Sequence, residues 1–321
     1  MKNLDYAYCV ARLRANETYM LDRSFMMRLC ECESADKAVA ALTEAGWIKE
    51  AAGIKEITGL KNKELWQLLN ECVPDKRELD VFCVLNDFFN IKTAVKCCFS
   101  GVDPSAYYLY PTSLRLDKLS EKASLRDFSS LSFKGADKAE KAYKMACLTE
   151  NGQSAEIIID KAAIDCLCEY AVENKSALAG DVCAFLCDTA NIKTALRINA
   201  LGKNRDFARE AVGNCSRLDR NTLIDLALGE KEALYDYLLS SPYAEGVSLY
   251  TESTALYEKW CDDRVIELVA KAKYTAFGFD PVCAFYYGKQ NEIKSVNIIL
   301  TALQSGLPAD EIKERVRLNY V

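Results

Sequence analysis

In the segment VFCVLNDFFNIKTAVK, residues 81–96, the apolar positions Val84, Phe88, Ile91 and Val95 follow the i, i+4, i+7, i+11 spacing of one helical stripe. At about 100° per residue, Asp87, Asn90 and Ala94 fall together on one flank and Lys92 falls on the other. The pattern predicts an amphipathic α-helix whose buried face borders a polar seam. Small Ala94 lets a neighbouring helix come close, and Asp87 and Asn90 then need hydrogen-bond partners at that contact. The expected role of the seam is to fix helix-to-helix geometry.

The same pattern returns. NIKTA occurs at Asn90–Ala94 and again, 101 residues later, at Asn191–Ala195; an aliphatic-plus-basic pair follows each time, Val95-Lys96 and Leu196-Arg197. A further step of equal length reaches Glu292, where the chain reads Glu292-Ile293-Lys294-Ser295. Val84, Phe185 and Tyr286 stay in phase, as do Leu85, Leu186 and Tyr287. A second motif interleaves with the first: Leu21-Asp22-Arg23, Leu116-Asp117-Lys118 and Leu218-Asp219-Arg220 each precede a helical pattern, with Asp placed to cap it. Near the end, GLPADEIKERV puts Pro308 where a first helical turn tolerates it. The period of about 100 residues is far longer than a solenoid unit, so each repeat is expected to be a small bundle with its own core. The predicted fold is all-α, with pseudo-symmetric helical lobes at residues 1–110, 111–213 and 214–321, the N-terminal segment packing on the last lobe.

Composition narrows the reading. With 14 Gly and 6 Pro, the turn residues that a many-stranded sheet needs are scarce. No apolar run nears the ~20 residues of a membrane span, and the start MKNLDYAYC lacks a signal-peptide core. A soluble or peripheral protein is expected. A net charge of −6 argues against a general nucleic-acid binder. The chain has 0 His, which excludes His-based triads, His-bearing zinc sites and imidazole proton shuttles.

The 15 Cys sit largely within apolar helical patterns (Cys83, Cys183, Cys187, Cys283), and are read as reduced thiols and not as a disulfide framework. Cys30-Glu31-Cys32, Cys97-Cys98 and Cys166-Leu167-Cys168 are the best metal candidates, but none has zinc-ribbon spacing and helical neighbours point apart. Asp262-Asp263 is read as helix surface or cap for the same reason. The aromatic run Tyr107–Pro111 reads as a packed inter-repeat connection, with an exposed contact patch as the alternative.

No phosphate-binding glycine loop or dinucleotide turn is present, and no metal or cofactor is implied. The repeated polar and basic positions Asn90, Lys92, Lys96, Asn191, Lys193, Arg197 and Lys294 are the candidate partner contacts, arranged pseudo-symmetrically about an axis. Taken alone, these features also suit a stand-alone helical-repeat scaffold or adaptor without catalytic activity, or a redox or iron–sulfur protein built on the cysteines.

Both ends of the chain carry a resemblance. The opening YCVARLRANETYMLDRSFMMRLCECESADKAVAALTEAGW, with Ala11-Arg12-Leu13-Arg14, Glu17 and a closing Leu42-Thr43-Glu44-Ala45-Gly46-Trp47, resembles the C-type subunit of bacterial and archaeal V/A-type ATPases, related to the d-type subunit of eukaryotic vacuolar ATPases. The end, PVCAFYYGKQNEIKSVNIILTALQSGLPADEIKERVRLNYV, is similar to the same family's C-terminus. The resemblance implies a funnel of three lobes around a central cavity, in a central-stalk rotor subunit that is not itself an enzyme. Its implied partners are the axle subunits and the membrane rotor ring, with no nucleic acid and no directly bound nucleotide. It would lie on the cytoplasmic face of the cell membrane and link ATP hydrolysis or synthesis to proton or sodium transport.

Overall fold

The structure, a computed structural model, describes residues 4–49, 53–128, 136–149, 152–173 and 176–321. Those residues are largely helical and contain no strand. In chain order the helices are α1 (Ala7–Glu17), α2 (Arg23–Cys30), α3 (Ala35–Glu44), α4 (Ile54–Cys72), α5 (Val84–Ser100), α6 (Leu116–Leu125), α7 (Ala136–Thr149) and α8 (Gly152–Glu173). There follow α9 (Ala177–Leu201), α10 (Arg205–Ala211), α11 (Arg220–Ala227), α12 (Lys231–Leu239), α13 (Ala244–Glu252), α14 (Thr254–Ala270), α15 (Asp280–Gln304) and α16 (Ala309–Arg315). None of these helices is long and apolar enough to cross a membrane.

The three helices that carry the repeat, α5, α9 and α15, each run into a glycine in the left-handed region: Gly101 at φ 68°, Gly202 at 58° and Gly306 at 69°. A side chain there would be strained, so glycine ends each helix; Gly101 and Gly202 fall 11 residues after Asn90 and Asn191, whereas Gly306 falls 14 after Glu292. Asp22 and Asp219 cap α2 and α11 as their motif predicts, accepting from Phe25 N at 2.7 Å and Thr222 N at 2.7 Å. Asp117 does not. Helix α6 begins at Leu116, and Arg115 Nε and Nη2 clamp the Asp117 carboxylate at 3.1 and 2.8 Å. That grip holds its pKa down, to about 2, the Arg115 hydrogen bond being the main cause. Pro308 sits at the cap of α16, one residue before its first turn.

The chain divides into two compact units. The first comprises residues 1–76, 176–182 and 248–321. Its centre is α15, on which α1, α2, α3, α4, α14 and α16 all pack. Ile293, Val296, Ile299 and Leu300 meet Met26, Leu29, Leu42, Trp47 and Ile57 in one buried cluster. Each such side chain contributes about 1.5–3 kcal/mol relative to exposure, as an upper estimate.

The family-like motifs at the two chain ends meet inside this unit. Arg14 donates to Glu17 at 2.7 Å and, through Nη2, to the Ala272 carbonyl at 2.7 Å. Tyr320 Oη lies 3.3 Å from Glu17, and Asn319 Nδ2 donates to the Leu21 carbonyl at 2.9 Å. Trp47 Nε1 donates to the buried Glu292. Arg14 and Trp47 near the start therefore depend on Glu292 and Tyr320 near the end.

The second unit comprises residues 77–175 and 183–247. Helix α5 packs on α6, α7 and α8, while α10 packs on α8 and α11. The stripe Val84, Phe88, Ile91 and Val95 is buried as the periodicity predicts. Ring contacts fasten the rest, with Phe128 and Tyr143 centroids 5.4 Å apart and those of Phe185 and Tyr243 6.0 Å apart.

Candidate functional site

The NIKTA asparagines are fully buried, and each grips backbone that returns after its helix. Asn90 donates through Nδ2 to the Leu109 carbonyl at 3.0 Å and accepts from Leu109 N at 2.7 Å. Asn191 donates to the Asn214 carbonyl at 2.7 Å and accepts from Gly213 N at 2.8 Å. One amide side chain thus satisfies a donor and an acceptor that would otherwise be buried without partners. The polar seam was expected to meet a neighbouring helix; it binds non-helical connections instead. A connection has free N–H and C=O groups to offer, whereas a helix interior has already paired its own.

One turn earlier the aspartates work on the same connections. Asp87 accepts from Ser113 N at 3.0 Å and from the hydroxyls of Thr112 and Ser113. Burial raises its pKa, and the Ser113 and Thr112 hydrogen bonds oppose that rise. Asp188 accepts from Ser216 N at 2.7 Å, Arg217 N at 2.8 Å and Tyr243 Oη at 2.6 Å. The Tyr243 pKa is pushed up, first by burial and then by its hydrogen bond to Asp188.

In the third repeat the latch moves by one residue. Asn291, not Glu292, donates to the Leu318 carbonyl, at 2.8 Å. Glu292 is buried elsewhere, accepting from Leu21 N at 3.2 Å, Lys289 Nζ at 2.5 Å and Trp47 Nε1. A one-residue shift turns a helical side chain by about 100°, enough to swap the two roles. Where the first two repeats have aspartate, the third has Gly288, and Tyr320 fills the space. A Cβ on Gly288 would lie 2.6 Å from Tyr320 Cγ. Gly288→Ala is therefore expected to destabilise the first unit by about 1–3 kcal/mol and to release the C-terminal tail, read as faster amide exchange at Leu318.

A further repeated pair lies outside the NIKTA motif. On α8, Lys161 pairs with Asp165 at 2.6 Å, and Asp165 accepts from Asn214 N at 2.7 Å. On α14, Lys259 pairs with Asp263 at 2.6 Å, and Asp263 accepts from Leu318 N at 2.6 Å. One residue of each connection, Asn214 or Leu318, is thus held at its N–H by aspartate and at its C=O by asparagine. A Lys-x-x-x-Asp spacing recurring before the second and third repeat helices is the signal that would have revealed it. Asp262-Asp263 is accordingly more than helix surface: Asp262 takes Lys294 at 2.6 Å and Arg317 Nε at 2.8 Å.

The basic candidates lie on outer flanks. Lys92 pairs with Asp160 at 2.6 Å and Lys96 with Glu156 at 2.7 Å, bridging α5 to α8. Lys193 is half-buried and engaged within the fold. Arg197 is exposed and lines a groove of about 190 Å³ with Glu156, Asp160, Lys203 and Phe207. Exposed ion pairs of this kind contribute roughly 0–1 kcal/mol, so the lysines can exchange partners cheaply.

In each cysteine pair singled out for metal binding, one thiol is buried (Cys30, Cys98, Cys166) and the other partly exposed (Cys32, Cys97, Cys168). Among the described residues no group of three or more Cys, Asp or Glu could hold a metal ion. The Tyr107–Pro111 run is not packed away: Tyr107, Leu109 and Tyr110 are exposed, while Asn90 holds the Leu109 backbone and Asn86 Nδ2 donates to the Pro111 carbonyl at 2.8 Å.

Together, the helices and their latched connections define an all-α repeat protein. The chain belongs to the ATP synthase (C/AC39) subunit family, whose model matches residues 9–315. It is 24% identical over 348 residues to the C-type subunit of the A-type ATP synthase of Methanocaldococcus jannaschii, covering 96% of this chain and 85% of that one. It is 21% identical over 265 residues to the C-type subunit of the V-type sodium ATPase of Enterococcus hirae, covering 81% and 80% respectively.

Proposed function

We propose that this chain is the central-stalk rotor subunit of a V/A-type rotary ATPase. In this reading it joins the axle of the ATPase head to the membrane rotor ring, links ATP hydrolysis or synthesis to proton or sodium transport, and catalyses nothing itself. The family match over residues 9–315 carries the reading. The latches support it physically, because a torque-bearing part must not yield between its contacts. Buried Asn90, Asn191 and Asn291 fix the connections, and α15 gathers both chain ends into one core.

The proposal includes the three lobes at residues 1–110, 111–213 and 214–321 around a central cavity, and a peripheral position on the cytoplasmic face of the membrane. Interfaces of obligate size, roughly 2,000 Å² or more in total, are expected with axle and ring. Of the contact candidates, Lys92, Lys96, Lys193, Arg197 and Lys294 would meet acidic groups of a partner, while Asn90 and Asn191 act indirectly by holding the surface in shape. Purified chain should bind axle subunits and rotor ring. Charge reversal by Lys96→Glu with Arg197→Glu should weaken that binding about tenfold or more and flatten its dependence on salt, while costing no more stability than the ~1 kcal/mol that exposed ion pairs carry. Full binding by the reversed variant would remove these residues from the interface.

A further inference from the structure

The first unit contains a thiol pair that neither the repeat nor the family match accounts for. Cys9 on α1 and Cys72 at the end of α4 lie with their sulfurs 2.9 Å apart, although 63 residues separate them. Both are free and buried, Cys9 fully and Cys72 to 6% exposure. The seam is held on either side. Arg12, one turn along α1 from Cys9, pairs with Glu71 at 2.5 Å, and Lys76 Nζ donates to the Val73 carbonyl at 2.6 Å. The two sulfurs have to approach by about 0.9 Å to reach the ~2.05 Å of a disulfide bond.

From this juxtaposition we propose that Cys9 and Cys72 form a reversible oxidation site, a dithiol that closes to a disulfide under peroxide and fastens α1 to α4. Electrostatics select the attacking sulfur. Burial pushes up the thiols of Cys30, Cys83, Cys98, Cys183, Cys187 and Cys215. Cys72 is instead held below its ordinary value, mainly by the hydrogen bond that Cys9 donates, with Arg12 and Lys76 assisting against burial. The cost falls on Cys9, whose pKa that same hydrogen bond and its burial drive upwards.

The Cys72 thiolate is the nucleophile, and Cys72 is the less deeply buried residue of the two. It attacks one peroxide oxygen; the O–O bond breaks, and the departing hydroxide takes a proton to become water. The resulting Cys72 sulfenic acid is attacked by the Cys9 sulfur, which loses its proton, and a second water leaves as the S–S bond forms. Two thiol hydrogens and two electrons pass to one peroxide, and a dithiol reductant reverses the change.

The test is peptide mapping of the intact chain after graded hydrogen peroxide, with free thiols trapped by an alkylating agent. The expected result is a Cys9–Cys72 cross-linked peptide forming at doses that leave Cys166 and Cys183 reduced, and lost on treatment with dithiothreitol. Closing a loop of this length should raise the melting temperature of the first unit by about 10 °C. Cys72→Ser should abolish both the cross-link and the shift, and Cys9→Ala should do the same through the other partner. Mapping of the unsubstituted chain decides the question even if either variant folds poorly. Cys9 and Cys72 remaining reduced while exposed Cys147 oxidises, or cross-linking only after denaturation, would overturn the proposal.

Discussion

Replacing Asp188 with alanine is expected to destabilise the second unit by about 4 kcal/mol, a large part of the margin on which a domain stands. The carboxylate is fully buried and accepts from two backbone N–H groups, of Ser216 and Arg217, and from the Tyr243 hydroxyl. Alanine leaves those donors buried without an acceptor, and each such donor costs about 1–3 kcal/mol. Tyr243→Phe removes one donor together with its need, so it should cost only about 1 kcal/mol. Asp188→Asn should fall between them, because its amide nitrogen faces N–H groups that it cannot accept from. Denaturant unfolding gives the ranking, and amide exchange at Ser216 and Arg217 locates the damage. A loss below about 1 kcal/mol for Asp188→Ala, with protection of those amides intact, would refute the latch as described.

The second large effect is expected at Glu292. Its side chain is 3% exposed and that of its partner Lys289 is 15% exposed. Lys289 Nζ and Lys61 Nζ lie 5.5 and 4.9 Å from the Trp47 ring centre. Glu292→Ala removes the acceptor for Trp47 Nε1 and Leu21 N and strands the Lys289 ammonium, at a cost of about 3–5 kcal/mol. Glu292→Gln keeps an acceptor but not the charge, and should lose about half as much. Paired replacement of Lys289 and Glu292 by methionine should recover only the part lost by stranding the ammonium, since Trp47 Nε1 and Leu21 N still lack an acceptor. Tryptophan emission reports the site once Trp66 and Trp260 are replaced by phenylalanine, with a red shift expected for Glu292→Ala. An unshifted emission and unchanged stability would show that the cluster does not hold the chain ends together.

These two sites also show what the sequence disclosed and what it did not. The apolar stripe through Val84, Phe88, Ile91 and Val95 was legible because burial on a helix is periodic. The recurrence of Asn90 at Asn191 was legible because the residues are identical. The third copy misled at one position: continuing the period gives Glu292, yet Asn291 performs the asparagine's task. Chain alignment counts residues, whereas a latch depends on direction, and on a helix those diverge at the first one-residue shift. Partners were less visible than positions. Asp87 and Asp188 plainly needed donors, but nothing in the spacing said that a connection would supply them. The Asp117 cap failed because α6 begins one residue earlier, at Leu116, which places Asp117 inside the first turn, where Arg115 binds its carboxylate. The Cys9–Cys72 contact joins residues 63 apart through tertiary packing alone, so no local pattern announces it.

In the proposed interface, the basic flank would be where function and fold compete for the same residues. Lys92 and Lys96 are engaged with Asp160 and Glu156 on α8. A partner must offer better acceptors than these to recruit them, and the low worth of exposed ion pairs makes that exchange feasible. The central claim, that the chain couples axle to ring, is tested most directly by the ratio of ions moved to ATP hydrolysed in membranes carrying the rotary ATPase, with and without this chain. Membranes lacking it should hydrolyse ATP without ion pumping, and adding back the purified chain should restore the ratio. Normal pumping in its absence would contradict the account.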